Sequence, residues 1–327
     1  MIAHSPTPLR WLVLLVAGLL ALVANLLTGA TPVTELLGGL MGHDPLSWQI
    51  FMELRLPRAL LALAVGGLLG WAGMAMQSLF RNPLADPGLV GVSAGAAAAA
   101  VLGIALLGLG LYTRGVAAFV GALGVLGIIY ALATRHGRTD LGWMLLAGIA
   151  FNAIASALIG LSLYVASDEA LRQLTWWLLG SFAEARLPMA LGALGLLALL
   201  LGLSPAVSRG LDALLLGEAS AWQMGVPVQR LKTLLLLLTA LAVGVSVATS
   251  GMIGFVGLAA PHLARLLTGS LHRALAPASV LIGALLALSA DSLARLLAQP
   301  AEVPVGLLLS ALGGPFFLWL LLRMRRV

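Results

Sequence analysis

At 327 residues the chain is 61% hydrophobic and only 9% charged, with a mean hydropathy of +1.07. Soluble domains carry about 25% charged residues, so this chain lacks the polar surface to cover a water-soluble core and reads as a polytopic membrane protein. Its net charge of +6 comes from seventeen Arg and one Lys set singly between apolar runs, a topology signal rather than a nucleic-acid patch, and the absence of cysteine excludes disulfide and thiolate chemistry.

A helix needs roughly 20 apolar residues to span a bilayer, and lipid-exposed backbone must satisfy its own hydrogen bonds, so the spans are helical. The run 11–27 has the length of a signal-peptide core, but no small-residue cleavage site leading into a soluble domain follows it. It is read as the first span, about 11–28. Others follow at about 56–79, 89–111, 115–134, 141–166, 187–207, 229–250, 252–268, 277–297 and 304–322, which makes ten. Two stretches do not fit a span. SDEALRQLTWWLLGSFAEAR (167–186) has a short apolar core between charged ends, which suits an interfacial or re-entrant helix over about 170–181. GLDALLLGEASAWQMGVPVQRLK (210–232) predicts two short helices over about 210–226, broken near Gly217, with Pro227 ending the second.

With the N-terminus inside, twelve Lys/Arg fall at inner ends and six (Arg55, Arg58, Arg114, Arg172, Arg186, Arg295) at outer ends, so both termini are expected to be cytoplasmic. The C-terminal RMRRV reads as a stop-transfer anchor. Glycines inside the spans, as in GGLLGWAG (66–73), let helix backbones approach closely in lipid. A faint echo, Gly73-Met74 before Pro83 and Gly251-Met252 before Pro261 at equal spacing, hints at an inverted repeat.

Four stretches together carry a resemblance. RLPRALLALAVGGLLGWAGMAMQSLFRNPLADPGLVGVSAGA (55–96), GMIGFVGLAAPHLARLL (251–267), ALSADSLARLL (287–297) and EVPVGLLLSALGGPFFLWLL (302–321) are similar, in colinear order, to the FecCD-type permeases. These are the transmembrane subunits of ATP-binding-cassette (ABC) importers for iron–siderophores, haem and cobalamin. The resemblance implies an all-α, ten-helix, inverted-repeat type II ABC importer permease fold working as a homodimer in a bacterial inner membrane. It also implies two cytoplasmic ATPase subunits, which bind ATP and Mg, and one periplasmic binding protein. The chain itself holds no phosphate-binding loop, so it is not expected to be an enzyme or to keep a permanent cofactor.

Arg55 and Arg58 flank the helix-starting Pro57, and Arg295 lies one turn after Asp291. Snorkelling at a helix end accounts for such residues singly. The resemblance implies instead that the three form a cationic socket for carboxylates of the binding protein, which guanidiniums pair bidentately. On the inner side, Gly217, Glu218, Ala219, Met224 and Gly225 are similar to the coupling helix that sits in a cleft of the ATPase. An amphipathic helix on the inner leaflet is the bland alternative, weakened by a polar face that is not basic. Arg172 and Trp176 on the short outer helix read either as an interfacial aromatic belt with a snorkelling arginine or as the outer mouth of the pathway. There, a cation over a Trp-lined vestibule suits haem, a flat ring with anionic propionates, ahead of a siderophore or cobalamin.

His262, in PHLAR, is tempting as a haem ligand, but such a histidine more often bonds a backbone carbonyl. His4, His43, His136 and His272 lie in loops or tail with no partner spacing. Asn82 and Asp86 are expected to cap helices, and Gln77 and Asn152 to bond across helices. A stand-alone secondary transporter would want mid-membrane ionisable groups, of which Asp291 comes nearest. For an intramembrane enzyme, no Ser/His, paired Asp or HExxH arrangement falls within the spans.

Overall fold

The computed structural model describes residues 7–324 apart from Ala30, His43 and Pro300. The anchor residues Arg325 and Arg326 and the histidines at 4 and 43 therefore lie outside the described residues. In chain order the helices are α1 (Pro8–Leu27), α2 (Val33–Met41), α3 (Pro45–Gln49), α4 (Leu56–Leu79), α5 (Val92–Leu107), α6 (Leu111–Ala133), α7 (Leu141–Val165), α8 (Asp168–Leu178), α9 (Leu187–Leu215), α10 (Glu218–Gln223), α11 (Val228–Ser250), α12 (Val256–Thr268), α13 (His272–Leu297) and α14 (Val305–Met324). A π-helical stretch, Ile50–Arg55, joins α3 to α4, and a 3-10 turn, Pro87–Val90, precedes α5. Strands β1 (Thr134–Arg135) and β2 (Arg138–Thr139) form one antiparallel hairpin. Among the described residues, seven helical runs are long and apolar enough to cross a membrane.

The core is built on α4. Twenty of its 24 residues are buried, so it is apolar all round, as a helix surrounded by others must be. Its glycines make that enclosure possible. A methyl on Gly73 would sit 1.8 Å from the Gly257 carbonyl oxygen, and one on Gly66 would sit 2.3 Å from that of Gly283. Thus α12 and α13 pack backbone to backbone against α4, the close approach that small residues permit in lipid. By contrast α1 turns Leu12, Leu15 and Leu19 outward, as a lipid-facing helix does.

Each expected span contains a helix, with three departures. Helix α9 runs on to Leu215 rather than stopping near 207, so the first of the two short inner helices does not exist. Pro205 removes one helix hydrogen bond, but burial of Leu211, Ala213 and Leu214 keeps the helix going past it. Pro227 does not end the second either: Gly225, at φ 81°, turns the chain, and Pro227 caps the start of α11. The span expected at 252–268 holds only the 13-residue α12. At 1.5 Å per residue it reaches about 20 Å, short of a ~30 Å hydrocarbon core. The residues before it form an irregular turn, with Phe255 at φ 72° and the Ser181 N–H bonded to the Ser250 carbonyl at 2.8 Å. The Gly-Met…Pro echo falls apart as well. Gly73 and Met74 are helical and Pro83 lies in a turn, whereas Gly251 and Met252 are irregular and Pro261 is helical.

One end of the bundle gathers Thr28, Arg55, Ala183 and Glu302 and is called outer below, following the Lys/Arg count. The opposite, inner, end gathers Arg81, the hairpin and Glu218.

Candidate functional site

At the outer end, the π-helical stretch runs straight into α4 and sets Arg55 and Arg58 one turn apart on one face. The structure brings both together with Arg295 around a cavity of about 410 Å³. It ties each of them to partners within the chain. Arg55, 5% exposed, donates to the carbonyls of Leu26, Leu27 and Thr31 at 3.0, 2.8 and 2.9 Å. Arg295, also 5% exposed, donates to those of Asn25 and Thr28 and pairs with Asp291 at 2.9 Å. The physical reason lies in α1. A helix C-terminus leaves its last carbonyls without intrahelical partners, and here two guanidiniums supply them.

Arg58 holds the fully buried Asp291 by both Nε (3.0 and 3.1 Å) and Nη2 (2.8 Å), while its Nη1 reaches Glu302 at 3.0 Å. The Asn25 amide completes the Asp291 shell at 3.0 Å. The cluster thus bolts α1, α4 and α13 together, and the Arg58–Glu302 pair forms its solvent-touching rim.

A second outer cleft, about 190 Å³, opens beside it between α6, α8 and the turn after α8. It is lined by Arg114, Gln173, Trp176, Trp177, Glu184 and Ser250, among others. Arg114 is buried and pairs through Nη2 with Glu184, whose side chain is 61% exposed, while the buried Arg114 Nε has no partner. Trp176 stands on the rim, 56% exposed. The other expected pathway residue, Arg172, is exposed on α8 but does not line this cleft. Arg114 was legible only as one outer arginine among six. Its carboxylate partner lies seventy residues away in sequence and carries no spacing signal.

At the inner end, α10 is a single six-residue helix set off by Gly217 at φ 105° and Gly225 at φ 81°. Only its Ala221 is buried; Glu218, Ala219, Trp222, Met224 and Gly225 are exposed, so it projects. The buried Lys232 of α11 anchors it, pairing with Glu218 at 2.7 Å and donating to the Thr139 carbonyl at 3.0 Å. Gln229 accepts from the Thr139 N–H at 3.0 Å, so hairpin, α10 and α11 are tied to one another. Cavities of about 670 and 780 Å³ flank this tie, and Arg81, Arg135, Arg138 and Arg230 contribute to their walls.

Just inside lies a cluster that sequence reasoning missed. His272 is not in a loop without partners. It opens α13, is 1% exposed, and bonds Ser78 Oγ at 2.5 Å and Asp212 Oδ1 at 2.6 Å. The order Ser–His–Asp is that of a hydrolase triad, but Ser78 and His272 are sealed from solvent and the Ser78 hydroxyl also bonds its own helix at the Met74 carbonyl, 2.8 Å away. It is a latch joining α4, α9 and α13. The expected cross-helix bonds are present: Gln77 donates to the Leu258 carbonyl at 3.2 Å and accepts from Arg265 at 2.5 Å, and Asn152 reaches the Gly88 carbonyl at 3.3 Å. Asn82 and Asp86 accept from the Leu84 and Gly88 N–H groups. Burial pushes the Asp86 carboxyl up, with the Gly88 N–H pulling against it. His262 is half-buried in α12 and enters none of these clusters.

The FecCD transport family model matches residues 12–323. The hemin transport system permease protein of Yersinia pestis is 48% identical over 285 residues, covering 85% of this chain and 84% of that protein. A vitamin B12 import system permease protein of Klebsiella pneumoniae is 41% identical over 310 residues, 92% of each. Among solved structures, a metal-chelate type ABC transporter in an inward-facing conformation superposes with a TM-score of 0.87 at 32% identity, covering 97% of this chain and 100% of that one. PsaBC from Streptococcus pneumoniae, at TM-score 0.55 and 20% identity over 88% and 94% of the two chains, shares the fold.

Proposed function

This chain belongs to the FecCD transport family and is a multi-pass permease of an ABC importer, and we propose that its cargo is haem. A binding protein hands the haem over at the outer face, and two ATPase subunits drive it inward. The observation that carries the reading is the outer cleft, where a buried arginine faces two tryptophans, one of them open to solvent. A flat, carboxylate-bearing ring fits that chemistry through stacking and charge-assisted hydrogen bonds. The identity to a hemin permease, higher than to a vitamin B12 permease, supports it. Cobalamin is the second reading, favoured by the longer match to the vitamin B12 relative.

Two copies of the chain would enclose the pathway on their two-fold axis. Closure of the ATP-loaded subunits would pull α10, a projecting tooth rigidly tied through Glu218–Lys232 to α11, and so retilt the helices. On this reading the membrane is the bacterial inner one, and both termini are cytoplasmic. The test is ATP hydrolysis by the reconstituted complex, measured with binding protein carrying haem, a ferric siderophore or cobalamin. Stimulation by the haem-loaded form alone supports the reading; stimulation by another cargo alone replaces it.

A further inference from the structure

Two of the outer arginines that hold carboxylates, Arg58 and Arg114, do so differently. The side-on edge of a guanidinium offers Nε–H and Nη2–H in parallel, and a carboxylate that uses both is held most firmly. Arg58 shows the filled version, with both donors on Asp291. Arg114 shows the half-filled one. Glu184 takes Nη2 and leaves the buried Nε with no partner, on a side chain that helps line the cleft. A buried donor left unmatched is costly, so such an atom marks a place where a ligand has something to gain.

We propose that the side-on edge of Arg114 is a subsite for a carboxylate of the cargo, which displaces Glu184 and fills both donors while the ring lies against Trp176. The proposal rests on the haem reading and names where the propionate goes. Size and charge agree with it. The cleft of about 190 Å³ takes a carboxylate arm and not a whole porphyrin, so the ring stays outside on the exposed tryptophan. Glu184, whose side chain is 61% exposed, has room to swing away. Because one carboxylate replaces another, the buried guanidinium is never left without a counter-charge, and the cargo gains little net energy. That exchange gives a weak, quickly reversed hold, as a transporter requires.

The experiment is ATP-driven haem uptake by proteoliposomes holding the permease, its ATPase subunits and the haem-loaded binding protein, with thermal melting of each detergent-solubilised variant alongside. Arg114→Gln is expected to lower the initial uptake rate roughly tenfold or more, the scale of one charge-assisted carboxylate contact. Glu184→Gln removes the competitor and is expected to raise uptake, or lower the half-saturating concentration, by roughly two- to fivefold. A structural tie predicts the opposite for Glu184→Gln, with uptake and melting temperature falling as they do in Arg114→Gln. If Arg114→Gln fails to fold, the direction of the Glu184→Gln change decides alone. Unchanged uptake in Arg114→Gln, or a fall in Glu184→Gln, overturns the subsite. A wild-type complex that takes up no haem overturns the cargo reading itself, and the subsite with it.

Discussion

Arg58 and Arg114 stand at the same end of the bundle, each facing a carboxylate, and the contrast between them separates architecture from exchange. Around Asp291 every charge is answered: two guanidiniums and the Asn25 amide converge on a carboxylate with no exposed surface. Around Arg114 the answer is partial, one donor met by a carboxylate that lies mostly in water. A buried ion pair costs much to desolvate, so it persists only when its geometry is complete. A pair at a cleft escapes that demand, because water or a ligand can complete it. The closed cluster therefore reads as structure, and the half-open pair as a place where contacts change.

The largest expected effect breaks the closed site. Asp291→Ala strands Arg58 and Arg295 without their shared counter-ion, which costs about 3–5 kcal/mol for a buried pair. Most of the protein should then fail to extract as a monodisperse peak on size exclusion. Glu184→Ala should leave the peak intact, since it removes a largely exposed side chain and opens the cleft to water beside Arg114. Equal losses in the two variants would erase the distinction between the sites.

Between these extremes lies the Ser78–His272–Asp212 latch, closed at Ser78 and His272 but with Asp212 partly in solvent. Its loss should cost about 1–3 kcal/mol, the range for leaving a buried polar group unpaired. Asp212 sits six residues before Glu218, at the end of α9 that leads into α10. His272→Ala should therefore lower melting temperature moderately and reduce cargo moved per ATP hydrolysed, with basal hydrolysis kept. A fall in basal hydrolysis equal to the fall in transport would mean that the latch supports folding alone.

How far the sequence foretold these sites depends on where their partners come from. Apolar run lengths located a helix in each expected range, and the resemblance carried by RLPR (55–58) and ALSADSLARLL (287–297) grouped the outer arginines. What spacing could not show is that the last carbonyls of α1 would fold back onto Arg55 and Arg295, because those acceptors are backbone atoms and leave no residue-type signature. Arg55 and Arg295 are thus spent on α1, and Arg58 is the arginine of the three with a partner at the exposed rim. The latch was hidden similarly: Ser78, Asp212 and His272 are each unremarkable in their own segments, and only the packing of α4, α9 and α13 joins them. The span drawn at about 187–207 runs on to Leu215, because burial of Leu211, Ala213 and Leu214 outweighs the hydrogen bond that Pro205 breaks.

The smallest stability effect sharpens the comparison from the closed side. Glu302 is the one member of the outer cluster with substantial exposure, its side chain 40% accessible where it meets Arg58 Nη1. An ion pair at such a rim adds under about 1 kcal/mol, so Glu302→Gln should barely move the melting temperature. It does, however, take the carboxylate charge off one Arg58 donor at the outer surface, loosening its hold there while Nε and Nη2 stay on Asp291. If a binding protein presents carboxylates to this face, that loosened donor should raise its affinity for the reconstituted permease by a few-fold, more at low salt than at high salt. Arg58→Gln should lower the affinity with the same salt dependence. An affinity indifferent to both substitutions would leave the whole arginine cluster structural, and the binding protein would then have to grip the permease elsewhere, with the exposed Arg172 of α8 the next residue to substitute.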